Sequence, residues 1–292
     1  MKGKVSRMAA FWVRSASIQI GNQCYSMDSG LYFSFEIPFK DSEELQNISF
    51  TVYNLSQGTR NNIKKGDQVI LNAGYEGDVG CLFIGAVNAA NSEKKNTEWV
   101  TEISATMALK EWLETDINKT YMPGMDAESI GKDLLNIFGV EIGRVELTEN
   151  MVYPRGKVCR GKVKDILKKI FVEECGCTML IRNYQILIRN PNTPVSTGIL
   201  LSPESGLLED SGESDAMNIA TAEDDKKSQE DKEEAGKTVH LKCLLNHRIG
   251  AGDMVVVQSQ KRNGAYQVVS GVHKGSPDGD WFTELEVKIP GV

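Results

Sequence analysis

His240-x-x-Cys243-x-x-x-His247 has the residue types that could hold a transition metal. A structural zinc site needs four nitrogen or sulfur ligands in a tetrahedron. This spacing would gather its three only on a helix, whereas Val239, Leu241, Leu244 and Leu245 have the look of a buried strand. No fourth ligand is evident, so the three are read as core or surface residues and no metal is expected. Cys175-Gly176-Cys177 lacks the spacer of a C-x-x-C redox or zinc motif. It reads as a helix ending at a glycine between two half-buried thiols, and Glu173 and Glu174 beside it would disfavour a thiolate. Glu102 and Glu284 occupy matching places in a W-x-T-E block. A glycosidase needs one protonated and one ionised carboxylate across a sugar-sized cleft. Glutamates at equivalent places in a repeat are more simply a shared feature facing solvent or a partner. No G-x-S-x-G, H-E-x-x-H, Walker or dinucleotide-binding motif occurs, and three histidines leave little for general-base work. No catalytic residue and no cofactor are expected.

The elements that would position such residues show a repeat. Ile63-Lys64-Lys65-Gly66-Asp67-Gln68-Val69-Ile70-Leu71 matches Ile249-Gly250-Ala251-Gly252-Asp253-Met254-Val255-Val256-Val257. Phe83 to Val87 answers Val268 to Val272, and Trp99-Val100-Thr101-Glu102-Ile103 answers Trp281-Phe282-Thr283-Glu284-Leu285. From Asp67 to Val87 is 20 residues and from Asp253 to Val272 is 19. Matching blocks in one order at near-constant spacing indicate two copies of one small β module. The Gly-Asp pairs read as β-turns leading into a strand. Trp99 and Trp281 read as core aromatics, with partner contact as the alternative.

The expected fold class is α+β, mainly β: two related antiparallel β-barrel-like modules flanking an α+β middle region. Residues 1–108 would form the first module. Strands are expected at Phe11–Ile20, Leu31–Ile37 and Ile48–Leu55, alternating with period two. Residues 109–200 would form the middle domain. Ala108–Ile117 suggests a short helix. Asp126 caps a second one, with Ile130, Leu134, Ile137 and Phe138 on its inner stripe. A third starts near Lys162, burying Val163, Ile166, Leu167, Ile170 and Phe171, and Thr178–Ile181 and Gln185–Ile188 make a hairpin. Residues 201–236 would be an acidic loop or linker, and 237–292 the second module. Within that linker, residues 209–236 hold eleven Asp/Glu and three Lys, a net of −8. The whole chain of 292 residues carries −7, so the rest is near neutral, about +1. Such a balance, without a Lys/Arg run, speaks against a nucleic-acid binder. No apolar run reaches the roughly 18 residues a membrane helix needs, and no signal peptide is expected at Met1–Arg14. Six cysteines in apolar settings suit a reducing compartment without structural disulfides.

Cys243-Leu244-Leu245-Asn246, Ile249-x-x-Gly252-Asp253-x-Val255, Gly264-x-Tyr266-x-Val268, Val272-His273-Lys274-Gly275 and Asp278-Gly279-Asp280-Trp281-Phe282-Thr283 together resemble the C-terminal signature of bacteriophage tail baseplate hub proteins. Phe50-x-Val52-Tyr53-Asn54-Leu55, then Gly66-Asp67 and Ala73-Gly74-Tyr75, are similar to that family's first barrel. One departure is Ser276 where the family pattern has Asp after His-x-Gly. The resemblance implies a non-enzymatic homotrimer in the baseplate of a virion or phage-like particle, assembled in the bacterial host cytoplasm. It implies as partners the tail tube protein, the spike or tip protein, and baseplate wedge or LysM-type tail proteins, with no membrane and no sequence-specific nucleic acid. On that reading Gly66, Asp67, Trp99, Thr101 and Glu102, with Gly252, Asp253, Trp281, Thr283 and Glu284, are the candidate ring contacts. The alternatives are a tail-tip cell-wall hydrolase using Glu102 or Glu284, and a monomeric glycan-binding β module.

Overall fold

The computed structural model describes residues 13–40, 47–106, 115–138, 141–182, 185–191, 195–214 and 238–290. The chain is mainly β with an α+β middle region. It divides into two compact units: Met1–Ile37 with Ser42–Thr193 and Gly275–Asp280, and Pro38–Asp41 with Pro194–Lys274 and Trp281–Val292. Among the described residues no helix is long and apolar enough to cross a membrane.

In the first unit the chain opens with β1 (Arg14–Ile20), β2 (Gln23–Ser26), β3 (Phe33–Lys40) and β4 (Asn47–Tyr53). A six-residue helix α1 (Gln57–Asn62) is capped by Ser56, whose Oγ accepts the Thr59 N–H at 3.2 Å. Then come β5 (Gln68–Tyr75), β6 (Asp78–Lys95) and β7 (Glu98–Thr106). The alternation of Phe33, Phe35 and Ile37, and of Ile48, Phe50 and Val52, puts these side chains on one face, where all six are buried. Phe50 and Phe83 pack with ring centroids 5.5 Å apart. Neighbouring strands run in the order β3-β4-β7-β6-β5-β1, with β2 beside β1.

The rest of this unit holds β8 (Asp116–Tyr121), β9 (Met125–Asp126), α2 (Ala127–Phe138), β10 (Glu141–Val145), β11 (Val152–Tyr153), β12 (Lys157–Lys162), α3 (Val163–Lys168), β13 (Thr178–Arg182) and β14 (Gln185–Arg189). Asp126 caps α2, its Oδ1 accepting the Ser129 N–H at 2.7 Å. Helix α3 continues as a wider π turn over Lys169–Glu174 and stops at Cys175. Val163, Leu167, Ile170 and Phe171 are fully buried, packing with Ile130, Leu134 and Leu135 of α2. Gly131 makes room for this, since a Cβ there would stand 2.0 Å from the Phe171 ring. The stripe expected on α2 turns slightly: Leu135 is buried and Ile137 is 46% exposed. β10 pairs parallel with β14, which pairs antiparallel with β13. β8 and β12 form a separate two-stranded ribbon. Most of the short helix expected at Ala108–Ile117 lies outside the described residues, but Asp116 and Ile117 begin strand β8.

The second unit contains β15 (Val195–Leu201), β16 (Leu207–Ser214), β17 (Thr238–Leu244), β18 (Asp253–Gln258), β19 (Asn263–Gly275) and β20 (Trp281–Lys288). Its strand order is β16-β17-β20-β19-β18-β15. That repeats the six-strand order of the first unit position for position. They differ in direction at the outer pair, where β1 runs antiparallel to β5 while β15 runs parallel to β18. Leu201, Leu207, Leu241, Cys243, Val255, Val257, Val268 and Leu285 contribute to its core.

Three expectations are corrected here. The acidic stretch does not begin as a loop, because residues 209–214 belong to β16, paired with β17. Asp210 accepts from the Arg262 Nε at 2.9 Å and from the Ser259 hydroxyl at 2.5 Å, so its charge is spent on holding the β18–β19 turn. Residues 215–237 lie outside the described residues. The second unit also reaches back to Pro194, well before residue 237, because β17 and β18 would otherwise each lack a neighbour. Finally, Val87 corresponds to Val268 and not to Val272. The Gly66 N–H donates to the Val87 carbonyl and the Gly252 N–H to the Val268 carbonyl, both at 2.8 Å. The intervening hairpin is shorter in the second unit, pairing Met254–Gln258 where the first pairs Gln68–Tyr75.

Candidate functional site

The two Gly-Asp turns share the same two hydrogen bonds. The Asp67 N–H donates to the Lys64 carbonyl at 3.1 Å, and the Asp253 N–H to that of Gly250 at 3.2 Å. In each turn the aspartate Oδ2 accepts the N–H three residues back, that of Lys64 or Gly250, at 2.8 Å. Gly66 (φ 92°) and Gly252 (φ 83°) occupy the third turn position, which in a type II turn demands positive φ and therefore glycine. The I-x-x-G-D pattern is thus a turn that locks itself and starts a strand. Its surroundings differ, since Asp67 is half-exposed while Asp253 is 4% exposed.

The W-x-T-E strands are likewise matched in register. Thr101 lies opposite Val52 and Glu102 opposite Thr51, just as Thr283 lies opposite Cys243 and Glu284 opposite Lys242. Both threonines are fully buried. Thr101 shares a 3.0 Å hydrogen bond with Ser92, and Thr283 shares one of 2.8 Å with Nδ1 of buried His273, which stacks on Phe39. Glu102 is exposed, 3.4 Å from the Lys95 ammonium, and half-exposed Glu284 is 3.8 Å from that of Lys242. Each carboxylate therefore has a lysine on its own module. The tryptophans part company. Trp281 is buried at 4% exposure, as expected of a core aromatic, but Trp99 is 37% exposed and lies beneath the Arg60 guanidinium, 3.5 Å from ring centroid to Cζ. Burial depends on what covers the strand end, and α1 offers Trp99 only an arginine. Among the ten candidate contacts, Gly66, Trp99 and Glu102 present open surface, while Thr101, Gly252, Asp253, Trp281 and Thr283 lie inside their modules.

The cysteine and histidine clusters have structural settings. His240 and Cys243 sit an odd number of residues apart on β17 and so face opposite sides of it. Burial pushes the Cys243 thiol up to about 12. Cys175 and Cys177 are buried, not half-buried, and burial raises the Cys175 thiol, opposed by a hydrogen bond with the Met151 backbone and aided by the Glu174 and Glu149 charges.

Two features of the middle region escape the motif reading. One is a pair of Lys–carboxylate–Tyr clamps. Asp133 accepts from the Lys119 ammonium and the Tyr121 hydroxyl, each at 2.6 Å, and these two hold its carboxyl below the usual range. Glu174 accepts from Lys157 at 2.7 Å and from the Tyr153 hydroxyl. Burial opposes its charge, but the two donors prevail and its carboxyl too is held low. The other is a local excess of base: residues 155–169 hold seven Lys/Arg and one Asp. Its signal was present in the sequence, but spread at alternating positions rather than as a run.

Neither the protein-family models nor the curated proteins give a match. Solved structures do. A tail protein from Neisseria meningitidis MC58 superimposes with TM-score 0.66 at 12% identity, over 96% of this chain and 98% of the other. The fold is that of phage tail proteins. A 43 kDa tail protein of prophage MuSo2 from Shewanella oneidensis gives TM-score 0.67 at 9% identity, over 95% and 97% of the two chains. An Escherichia coli component of the type VI secretion system, itself structurally similar to the phage T4 tail proteins gp27 and gp5, gives 0.58 at 9% identity, over 94% of this chain and 77% of that one.

Proposed function

We propose that this chain is the structural baseplate hub of a phage-like tail, a homotrimeric adaptor between a six-fold tail tube and a three-fold spike or tip. The observation that carries the reading is the six-strand order found twice in one polypeptide, with the same self-locking turn in each copy. Three chains around a three-fold axis present six like modules, so one closed ring meets both symmetries without six separate chains. Open strand edges in each module are covered by the next, which also suppresses stray pairing. The fold shared with tail proteins and with a type VI secretion component supports this placement. The exposed members of the candidate set, Gly66, Trp99 and Glu102, are the ones available for ring contacts, and the middle region is left for spike, wedge or LysM-type proteins.

Light scattering on the purified protein, alone and with its tube protein, tests the reading. The expected species is a trimer with interfaces above about 1,000 Å² each, formed by the protein itself or on the tube. A monomer that stays monomeric at high micromolar concentration with tube protein present would refute it and favour the glycan-binding alternative. Release of sugar or peptide from peptidoglycan, abolished by Glu102→Gln or Glu284→Gln, would instead establish the hydrolase.

A further inference from the structure

The β8–β12 ribbon has one face turned to solvent. Along β12, residues 158, 160 and 162 are exposed and Cys159 is buried; along β8, residues 116, 118 and 120 are exposed and Tyr121 is buried. The register sets Thr120 opposite Val158, Asn118 opposite Arg160 and Asp116 opposite Lys162. At the tip Met122 is 75% exposed, Val158 is 67% exposed, and nearby Val152 is 54% exposed. Met122 and Val158 thus expose large apolar side chains together at one end of the ribbon, with Val152 on the neighbouring strand β11, and a cluster of this kind marks an interaction site. Gly156 keeps the tip tight, since a Cβ there would stand 2.5 Å from the Tyr121 carbonyl oxygen.

Charge is arranged beside this apolar end. Lys157 is committed to Glu174, and Lys162 faces Asp116 across the ribbon. Arg155, Arg160 and Lys164 remain, and no described residue forms an ion pair with any of them. A nucleic acid would use the cations but gain little from Met122 and Val158. An apolar protein surface would use the latter but leave the cations unmatched.

We propose that this face docks an extended acidic peptide segment of another tail protein, its apolar side chains on Met122, Val152 and Val158 and its carboxylates on Arg155, Arg160 and Lys164. From residue 116 to 122 the ribbon runs about 20 Å at about 3.3 Å per residue, the length of six or so extended residues. The proposal deepens the hub reading by naming the chemistry of a partner for the middle region, and rests on that reading only for the partner's being a tail protein.

The test is fluorescence anisotropy of the full-length protein with a labelled Glu–Leu peptide that alternates Ser with Leu over one half and Ser with Glu over the other, so that leucines and carboxylates fall on one side of the extended chain. Controls are a Glu–Ser peptide of the same length and a short DNA duplex. Binding of the Glu–Leu peptide should weaken with salt, as exposed charge pairs do. It should fall about tenfold in Arg160→Glu/Lys164→Glu and several-fold in Met122→Ser/Val158→Ser. Circular dichroism checks that these surface variants fold. No binding at low salt, equal binding of Glu–Ser, or DNA binding as tight and indifferent to Met122→Ser/Val158→Ser would each overturn the proposal. Light scattering on the unaltered protein with tube protein present separates the two readings: a chain that stays monomeric yet binds the peptide removes the hub and leaves the docking face standing.

Discussion

Asp253→Ala should cost far more stability than Asp67→Ala, although the two carboxylates make the same hydrogen bond. In the first module the Lys64 N–H is exposed and Asp67 half-exposed, so water replaces the lost acceptor. The cost is then the net value of one hydrogen bond, about 0.5–1.5 kcal/mol. In the second module Gly250 and Asp253 are both buried. Removing the carboxylate there strands a donor away from water, which adds its desolvation penalty, about 1–3 kcal/mol, for a total of about 2–4 kcal/mol. Asp253→Asn keeps an acceptor in place and should recover part of the loss. Urea unfolding gives the ranking, but two compact units need not unfold as one. Amide hydrogen exchange at Gly250 and Lys64 therefore provides the local reading. Equal losses in the two variants, or a Gly250 amide that exchanges no faster in Asp253→Ala, would refute the claim that burial separates two turns closed by the same hydrogen bonds.

The tryptophans should separate in the same sense: Trp281→Ala removes a buried side chain and should cost about 3–5 kcal/mol, whereas Trp99→Ala should be much milder by the same urea assay. Gly131→Ala should destabilise the middle region by about 1–3 kcal/mol through overpacking against Phe171, visible as faster amide exchange along α2 and α3. The pH dependence of stability should carry the sign of the two clamps. Asp133 and Glu174 have carboxyls held below their ordinary values, so they stabilise the fold fully above the unfolded value, about 4 for such groups, and less as pH falls through the folded one. Urea midpoints measured from neutral to acid pH should fall more gently in Glu174→Gln than in the unaltered protein, and a parallel decline would argue that the Lys157–Glu174–Tyr153 set contributes nothing.

What the sequence by itself determined is local and periodic. Positive φ at one position can be met cheaply only by glycine, so I-x-x-G-D by itself specifies the same turn at Gly66 and Gly252. Alternation at Phe33–Ile37 and Ile48–Val52 announced half-buried strands, and Asp126 announced the start of α2. What only the tertiary structure decided is which of those faces something covers. Trp99 and Trp281 sit in the same four-residue block, and Asp67 and Asp253 in the same turn, yet one of each pair is inside and the other is not. β16 could not be told from an acidic linker, because its pairing with β17 and the Asp210–Arg262 contact come from residues far along the chain. The match of Val87 with Val268 was hidden for the same reason, since register between strands is set by hydrogen bonds across the sheet and not by spacing along it. Pattern specifies the side a residue faces; burial is conferred by a distant segment that a single stretch of sequence does not contain.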